Sequence, residues 1–182
     1  MADTGPCLLR IARNAIAGHF GLAEQPVADS ADLHQAGASF VTLTQQGDLR
    51  GCIGSLEAWR PLAEDVRANA LAAAFRDPRF PPLSADDVPH TRIEVSLLTP
   101  AEALLWHDEA DALAQLRPHI DGIILSAGRH RATFLPQVWE QLPEPAVFLA
   151  QLKRKAGLPA DYWGPDVVLQ RYAVRKWQED RP

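Results

Sequence analysis

Leu8, Ile11, Ala12, Ala15, Ile16 and Phe20 recur at three- and four-residue intervals, with Arg10, Arg13 and Asn14 filling the gaps. That period predicts a helix over residues 8–20 with one apolar stripe, stopped by Gly21. The period then changes. Residues 39–44 read as a strand, Gln45-Gln46-Gly47-Asp48 as a polar turn, and residues 49–56 as the return strand of a hairpin. Pro61 suits the first position of a helix, where its missing amide proton has no partner to lose. That helix should pack through Leu62, Val66, Ala70 and Ala73 and end near Arg76-Asp77-Pro78. Pro81-Pro82 enforces an extended connector, and residues 92–97 alternate as a strand with one buried face.

The second half repeats this order. Residues 122–126 and 131–135 read as strands around the turn Ala127-Gly128-Arg129-His130. Pro145 opens a helix that packs through Val147, Phe148, Leu149 and Leu152. Lys153, Arg154 and Lys155 complement the dipole at its C-terminal end, and Gly157 closes it. Residues 167–174 read as the final strand. The pattern predicts an α+β fold with a mainly antiparallel sheet, built from two hairpin–helix–strand units with flanking helices. It also predicts one domain over residues 1–182 with a continuous core and two lobes, near residues 38–98 and 121–174. Counted from the turns, an internal duplication would match Cys52 with Phe134, Gly51 with Thr133 and Gly54 with Pro136.

Composition narrows the function classes. With 47% hydrophobic and 23% charged residues, the chain is of ordinary globular type. A net charge of -5 disfavours nucleic acid and anionic membrane, which require basic surfaces. No apolar run approaches a membrane span, and the N-terminus lacks the features of an export signal. Two cysteines without an export signal point to reduced thiols and a cytoplasmic location. The six histidines form no short ligand motif, so neither a metal nor another cofactor is expected.

Leu49-Arg50-Gly51-Cys52-Ile53-Gly54 carries the most unusual chemistry. Glycines weaken a strand unless something approaches its backbone closely or the strand bends. Alternation would place Arg50 and Cys52 on one face, with alpha carbons roughly 6.6 Å apart. A guanidinium beside a thiol favours the thiolate, and the glycines would leave room for a ligand. The competing account is an inert, buried cysteine acting as a small hydrophobe. Further candidates are Asn69, Asp77, Arg79, Glu94 and Gln137. Asp77 and Arg79 could face the glycine strand or form a salt bridge that stiffens the loop. Glu94 could act as a general base or occupy a solvated strand face. Asn69 could hold a ligand or cap a turn, and Gln137 could pair with backbone.

This segment resembles the signature of the AMMECR domain family, known in bacteria as AmmeMemoRadiSam system protein A. The similarity continues through Arg60-Pro61-Leu62, Asn69-Ala70, Asp77-Pro78-Arg79-Phe80-Pro81-Pro82-Leu83 and Ile93-Glu94-Val95-Ser96-Leu97. It extends to Phe134-Leu135-Pro136-Gln137-Val138-Trp139, Leu142-Pro143 and Lys155-Ala156-Gly157-Leu158. The resemblance implies a compact α+β domain whose main site is Arg50, Gly51, Cys52 and Gly54, with Ile53 between them. It also implies association with a Memo-like protein and a radical S-adenosylmethionine enzyme. It supplies no reaction. Two readings lead: a thiol-using enzyme or carrier acting on an unidentified small molecule through Cys52, and a non-catalytic docking module for those partners. A third, anion or nucleic-acid binding through Arg129-His130-Arg131 and Lys153-Arg154-Lys155, fits the acidic balance least well.

Overall fold

The apolar stripe near the N-terminus forms α1 (Thr4–His19), which buries Leu8, Ala12, Ala15 and Ile16. Gly21 follows at φ 68°, in the left-handed region that favours glycine. The computed structural model describes residues 4–180, in two compact units: residues 4–98 with 175–180, and residues 99–174.

In the first unit, the short helix α2 (Ala31–His34) precedes the hairpin of β1 (Ala36–Gln45) and β2 (Asp48–Gly54). Gln46 and Gly47 both have positive φ, as the tightest two-residue hairpin turns require. β3 (Arg60–Pro61) pairs with the start of β1, and α3 (Leu62–Phe75) follows directly. Pro61 thus sits just before the helix rather than inside its first turn. After a short 3-10 turn at Ala85–His90, β4 (Arg92–Leu98) pairs antiparallel with β1.

The second unit contains β5 (Glu102–Leu104), α4 (Glu109–Gln115), the hairpin of β6 (Gly122–Ala127) and β7 (His130–Phe134), α5 (Pro145–Lys155) and β8 (Val167–Tyr172). Pro145 occupies the first turn of α5, as predicted. β9 (Val174–Gln178) then joins the first sheet beside β4. The segment 167–174, expected as one final strand, is therefore β8 and the beginning of β9, interrupted at Ala173.

The first sheet runs β2-β1-β4-β9, with β3 also paired to β1; the second runs β5-β8-β6-β7. The α+β class and antiparallel pairing stand, but in two sheets. The two hairpin–helix–strand units share one connectivity, because β2-β1-β4 and β7-β6-β8 place corresponding strands in the same order. Their registers differ at one point. Leu43 opposes Gly51 while Thr44 opposes Leu49, so Arg50 is an extra residue in a bulge. Counting outward through it matches Cys52 with Thr133 rather than Phe134, and Gly51 with Ala132 rather than Thr133.

Each unit buries its own apolar cluster. Leu8, Ile16, Val66, Ala70, Val41, Leu43, Ile93 and Val95 build the first from α1, α3 and one sheet face. In the second, Phe148, Leu149 and Leu152 of α5 meet Ile123, Leu125, Leu169 and Trp139. The Trp139 and Phe148 rings stack with centroids 3.7 Å apart, and the indole N–H donates to the Asp121 carbonyl at 2.7 Å. Among the described residues, no helix is long and apolar enough to cross a membrane.

Candidate functional site

Because β1 alternates, Val41 and Leu43 enter the first core while Phe40, Thr42 and Thr44 occupy the opposite sheet face. Cys52 opposes Thr42 on one side, and Glu94 opposes Thr42 on the other. The three side chains therefore form a row across β2, β1 and β4. Cys52 is half-buried, in contrast to the buried Cys7. The Thr42 hydroxyl donates to Cys52 Sγ at 3.3 Å.

The backbone explains this close contact. The Cys52 amide donates to Asp77 Oδ2 at 2.9 Å, and its carbonyl accepts from Arg79 Nη2 at 3.3 Å. Both groups are directed at the Asp77–Arg79 loop, and so away from β1. Opposed residues that do not exchange backbone hydrogen bonds approach to roughly 4.5 Å between alpha carbons, which brings their side chains together. β2 is an edge strand of its sheet. Asp77 and Arg79 act there as a substitute strand, capping an edge that would otherwise be open to another chain.

The cap is held by charge. Arg79 binds the nearly buried Asp77 carboxylate through Nε at 3.0 Å and Nη2 at 2.7 Å. This pairing, opposed by burial and reinforced by the Cys52 amide, holds Asp77 far below the usual carboxylate range. Asp77 in turn raises the Arg79 pKa. The salt bridge that stiffens the loop and the contact with the glycine strand are thus one arrangement.

Arg50 is placed differently. Its guanidinium donates to the carbonyls of Pro81 at 2.7 Å and Pro82 at 3.5 Å, tying the bulge to the proline-rich connector. The guanidinium bonded to Cys52 is that of Arg79. The glycines also have packing roles. A Cβ on Gly51 would lie 2.2 Å from the Ala73 carbonyl oxygen of α3, and one on Gly54 would lie 2.2 Å from the Phe40 ring. The space beside them is filled by protein. Ile53 points the other way and packs against the first core.

Asn69 belongs to a second group, around the fully buried Asp65. Asp65 Oδ2 accepts the Ser39 amide at 2.8 Å, the Ser39 hydroxyl at 2.6 Å and the Asn69 amide at 3.0 Å. Asp65 Oδ1 accepts from Ser55 at 2.7 Å and from Arg60 at 2.8 Å. Ser55 and Arg60 flank residues 56–59, so one buried carboxylate fixes both ends of that loop. Glu94 lies 3.7 Å from Lys176 of β9. Gln137 is exposed in the second unit, on the short 3-10 turn Pro136–Glu140.

Sequence reasoning missed Thr42, Asp65, Ser39, Ser55 and Arg60. A signal for Asp65 existed: Asp65 and Asn69 stand one helical turn apart on the stripe of Leu62, Val66 and Ala70, where a polar side chain must find partners. Thr42 had only its alternation with Val41 and Leu43. A separate groove of about 760 Å³ in the first unit is lined by Pro6, Leu9, Arg10, Arg13, Pro89 and Trp177 among others, and none of the candidate residues reaches it. Among the described residues, no group of three or more His, Cys, Asp or Glu side chains could hold a metal ion.

Residues 9–177 match the AMMECR1 family. A protein of Methanothermobacter thermautotrophicus is 37% identical over 98% of this chain and 95% of its own length. Another, from Sulfolobus acidocaldarius, is 38% identical over 96% of this chain and 79% of its own. The crystal structure of the uncharacterized protein PH0010 from Pyrococcus horikoshii superposes with a TM-score of 0.77 at 31% identity, covering 98% of this chain and 92% of that one. With the family match spanning nearly the whole chain, the chain belongs to the AMMECR1 family.

Proposed function

We propose that Cys52 is the working group of this protein, a thiol that captures an electrophilic small molecule as an enzyme or carrier. The observation that carries the reading is the position of Cys52: half-buried, on the same sheet face as Thr42, with its Sγ accepting a hydrogen bond from the Thr42 hydroxyl. Asp77 and Arg79 support it by fixing the backbone on both sides of the side chain. The proposed setting is the cytoplasm, where a thiol stays reduced.

Alkylation of the folded protein with iodoacetamide, mapped by mass spectrometry, tests this reading. Cys52 should be modified in the native state while the buried Cys7 is protected. Modification of Cys52 only after unfolding would overturn the proposal.

A second reading, docking of a protein partner, draws on a different observation. Trp59 is 70% exposed and Leu56 44% exposed, on the loop that follows the Cys52 strand. Arg60 stacks over the Trp59 ring at 4.7 Å, and the Asp65 network holds the loop ends. A rigid, exposed tryptophan is the kind of residue that anchors interfaces. The partners suggested by the sequence resemblance are a Memo-like protein and a radical S-adenosylmethionine enzyme. Co-purification with each should succeed for the wild type and fail for Trp59→Ala; retention by Trp59→Ala would remove the loop from the interface.

A further inference from the structure

We infer that Arg79 selects the electrophile that Cys52 captures, and that this small molecule carries a carboxylate. The inference rests on the proposed thiol role and adds to it the chemical class of the substrate.

Arg79 meets the site at the Cys52 carbonyl, to which its Nη2 donates at 3.3 Å. The bonds of one residue hold that oxygen within about 5 Å of Sγ, so the guanidinium lies within about 8 Å of the sulfur. The two groups also interact through charge. Asp77 does most to raise the Arg79 pKa, and a Cys52 thiolate adds to the rise.

The guanidinium is spent on one side only. Its Nε and Nη2 bind Asp77, and Nη2 also meets the Cys52 carbonyl. Among the described residues, Nη1 makes no hydrogen bond. The Arg79 side chain is 54% exposed, whereas the carboxylate it pairs with is 2% exposed. The ion pair is therefore a dipole that buries its negative end and turns its positive end to solvent beside the thiol-bearing residue. An exposed guanidinium with a free donor suits a carboxylate better than a neutral group.

The neighbouring charges leave the selection to Arg79. Arg50 donates to the Pro81 and Pro82 carbonyls. Glu94, beyond Thr42 on the next strand, has Lys176 3.7 Å away to offset it.

In the step, the thiol proton passes to water and Sγ bonds to the electrophilic carbon. The leaving group departs with the electron pair of the bond that breaks. Cys52 reacts with the substrate, and Arg79 holds its carboxylate.

Iodoacetate and iodoacetamide test the selection, since they share the reacting carbon and the leaving iodide and differ in one charge. The quantity read is the ratio of their rates at Cys52, mapped by mass spectrometry and divided by the same ratio in the urea-unfolded chain. Two unit charges about 8 Å apart attract enough for about a twofold preference in bulk water, and for more beside a protein surface. Folding should therefore raise the ratio for iodoacetate by about threefold or more at low salt. Salt at about 1 M should erase most of that gain, because it screens the charges, and should leave the iodoacetamide rate nearly unchanged. Arg79→Gln should abolish the preference, and Arg79→Lys should keep most of it. Thermal melts check that both variants fold. Any change they cause in the exposure of Cys52 affects both reagents and cancels in the ratio, and the salt series requires no variant. A folded wild type whose ratio matches that of the unfolded chain, or does not respond to salt, would overturn the role of Arg79. So would a folded Arg79→Gln variant that keeps the preference. Each of these outcomes leaves the thiol reading standing as long as iodoacetamide modifies native Cys52. A native Cys52 that reacts with neither reagent would overturn the thiol reading and the selection together.

Discussion

Asp77 accepts the backbone amide of Cys52 at 2.9 Å, placing a nearly buried carboxylate against the edge of the strand that carries the thiol. Arg79 completes the contact by donating to the carbonyl of the same residue. The family motif Asp77-Pro78-Arg79 and the Cys52 strand are therefore one structural object. The prolines of the connector belong to it as well, since the carbonyls of Pro81 and Pro82 receive Arg50.

This relationship fixes a pH dependence. The folded-state pKa of Asp77 is depressed, mainly by its bonds to Arg79. A depressed carboxylate stabilises the fold at pH values above its unfolded pKa of about 3.9, and that stability is lost as pH falls toward the folded value. Asp77→Asn should lower the denaturant midpoint at pH 7 and narrow its gap to wild type as pH falls below about 4. Urea unfolding from pH 7 to pH 3 measures this, and a gap that is constant across the range would contradict it.

The glycines of the motif give a second prediction with an internal contrast. The Gly51 Cβ position meets backbone, the Ala73 carbonyl, while the Gly54 position meets the half-buried Phe40 side chain. Backbone of a packed helix cannot yield locally, but a ring can rotate. Gly51→Ala should cost about 1–3 kcal/mol, as overpacking usually does, and Gly54→Ala distinctly less. Equilibrium unfolding of the two variants tests the order.

Much of the architecture was legible because it follows local periods. The helical stripe of α1, both hairpin turns, the helix that follows Pro61 and the one that begins at Pro145 are all written in consecutive residues. The sequence did not reveal β9, because Val174–Gln178 has no pattern distinguishing it from a continuation of β8. The bulge at Arg50 was equally invisible. One extra residue leaves the composition of a strand unchanged while shifting every later correspondence, and it moved the match for Cys52 from Phe134 to Thr133. Motif residues were found, but several of their roles depend on contacts between separate elements, such as Cys52 with Asp77, 25 positions apart.

The Asp65 network predicts a local opening. Its carboxylate satisfies Ser39, Ser55, Arg60 and Asn69 together, with no exposure of its own side chain. Asp65→Ala would leave Arg60 and the Ser39 amide without their acceptor, at a cost of about 3–5 kcal/mol. Hydrogen exchange should accelerate most in residues 55–60, whose two ends the carboxylate holds. Uniform acceleration across the first unit, with no excess in this loop, would count against the clamp.

A buried lysine in the second unit supplies the last prediction. Lys153 is 1% exposed on α5, where neighbouring core positions are Phe148, Leu149 and Leu152. Its ammonium pairs with Glu109 of α4, donates to the Ala160 carbonyl at 3.3 Å and lies 5.3 Å from the Trp163 ring centre. Removing the two partners should have unequal effects. Glu109→Ala leaves a buried cation with only a carbonyl and a ring, so it should destabilise by about 1–3 kcal/mol, the usual cost of stranding a buried polar group. Lys153→Met keeps the aliphatic stem and removes the charge that needed compensation. Replacement of buried charge by an apolar side chain of similar volume is often neutral or stabilising, so this variant should remain within about 1 kcal/mol of wild type. In the double variant the loss caused by Glu109→Ala should largely disappear, because the stranded cation is gone. Denaturant unfolding of the three variants completes a double-mutant cycle. Equal destabilisation by the two single changes, with simple additivity in the double, would show that Glu109 contributes nothing through Lys153.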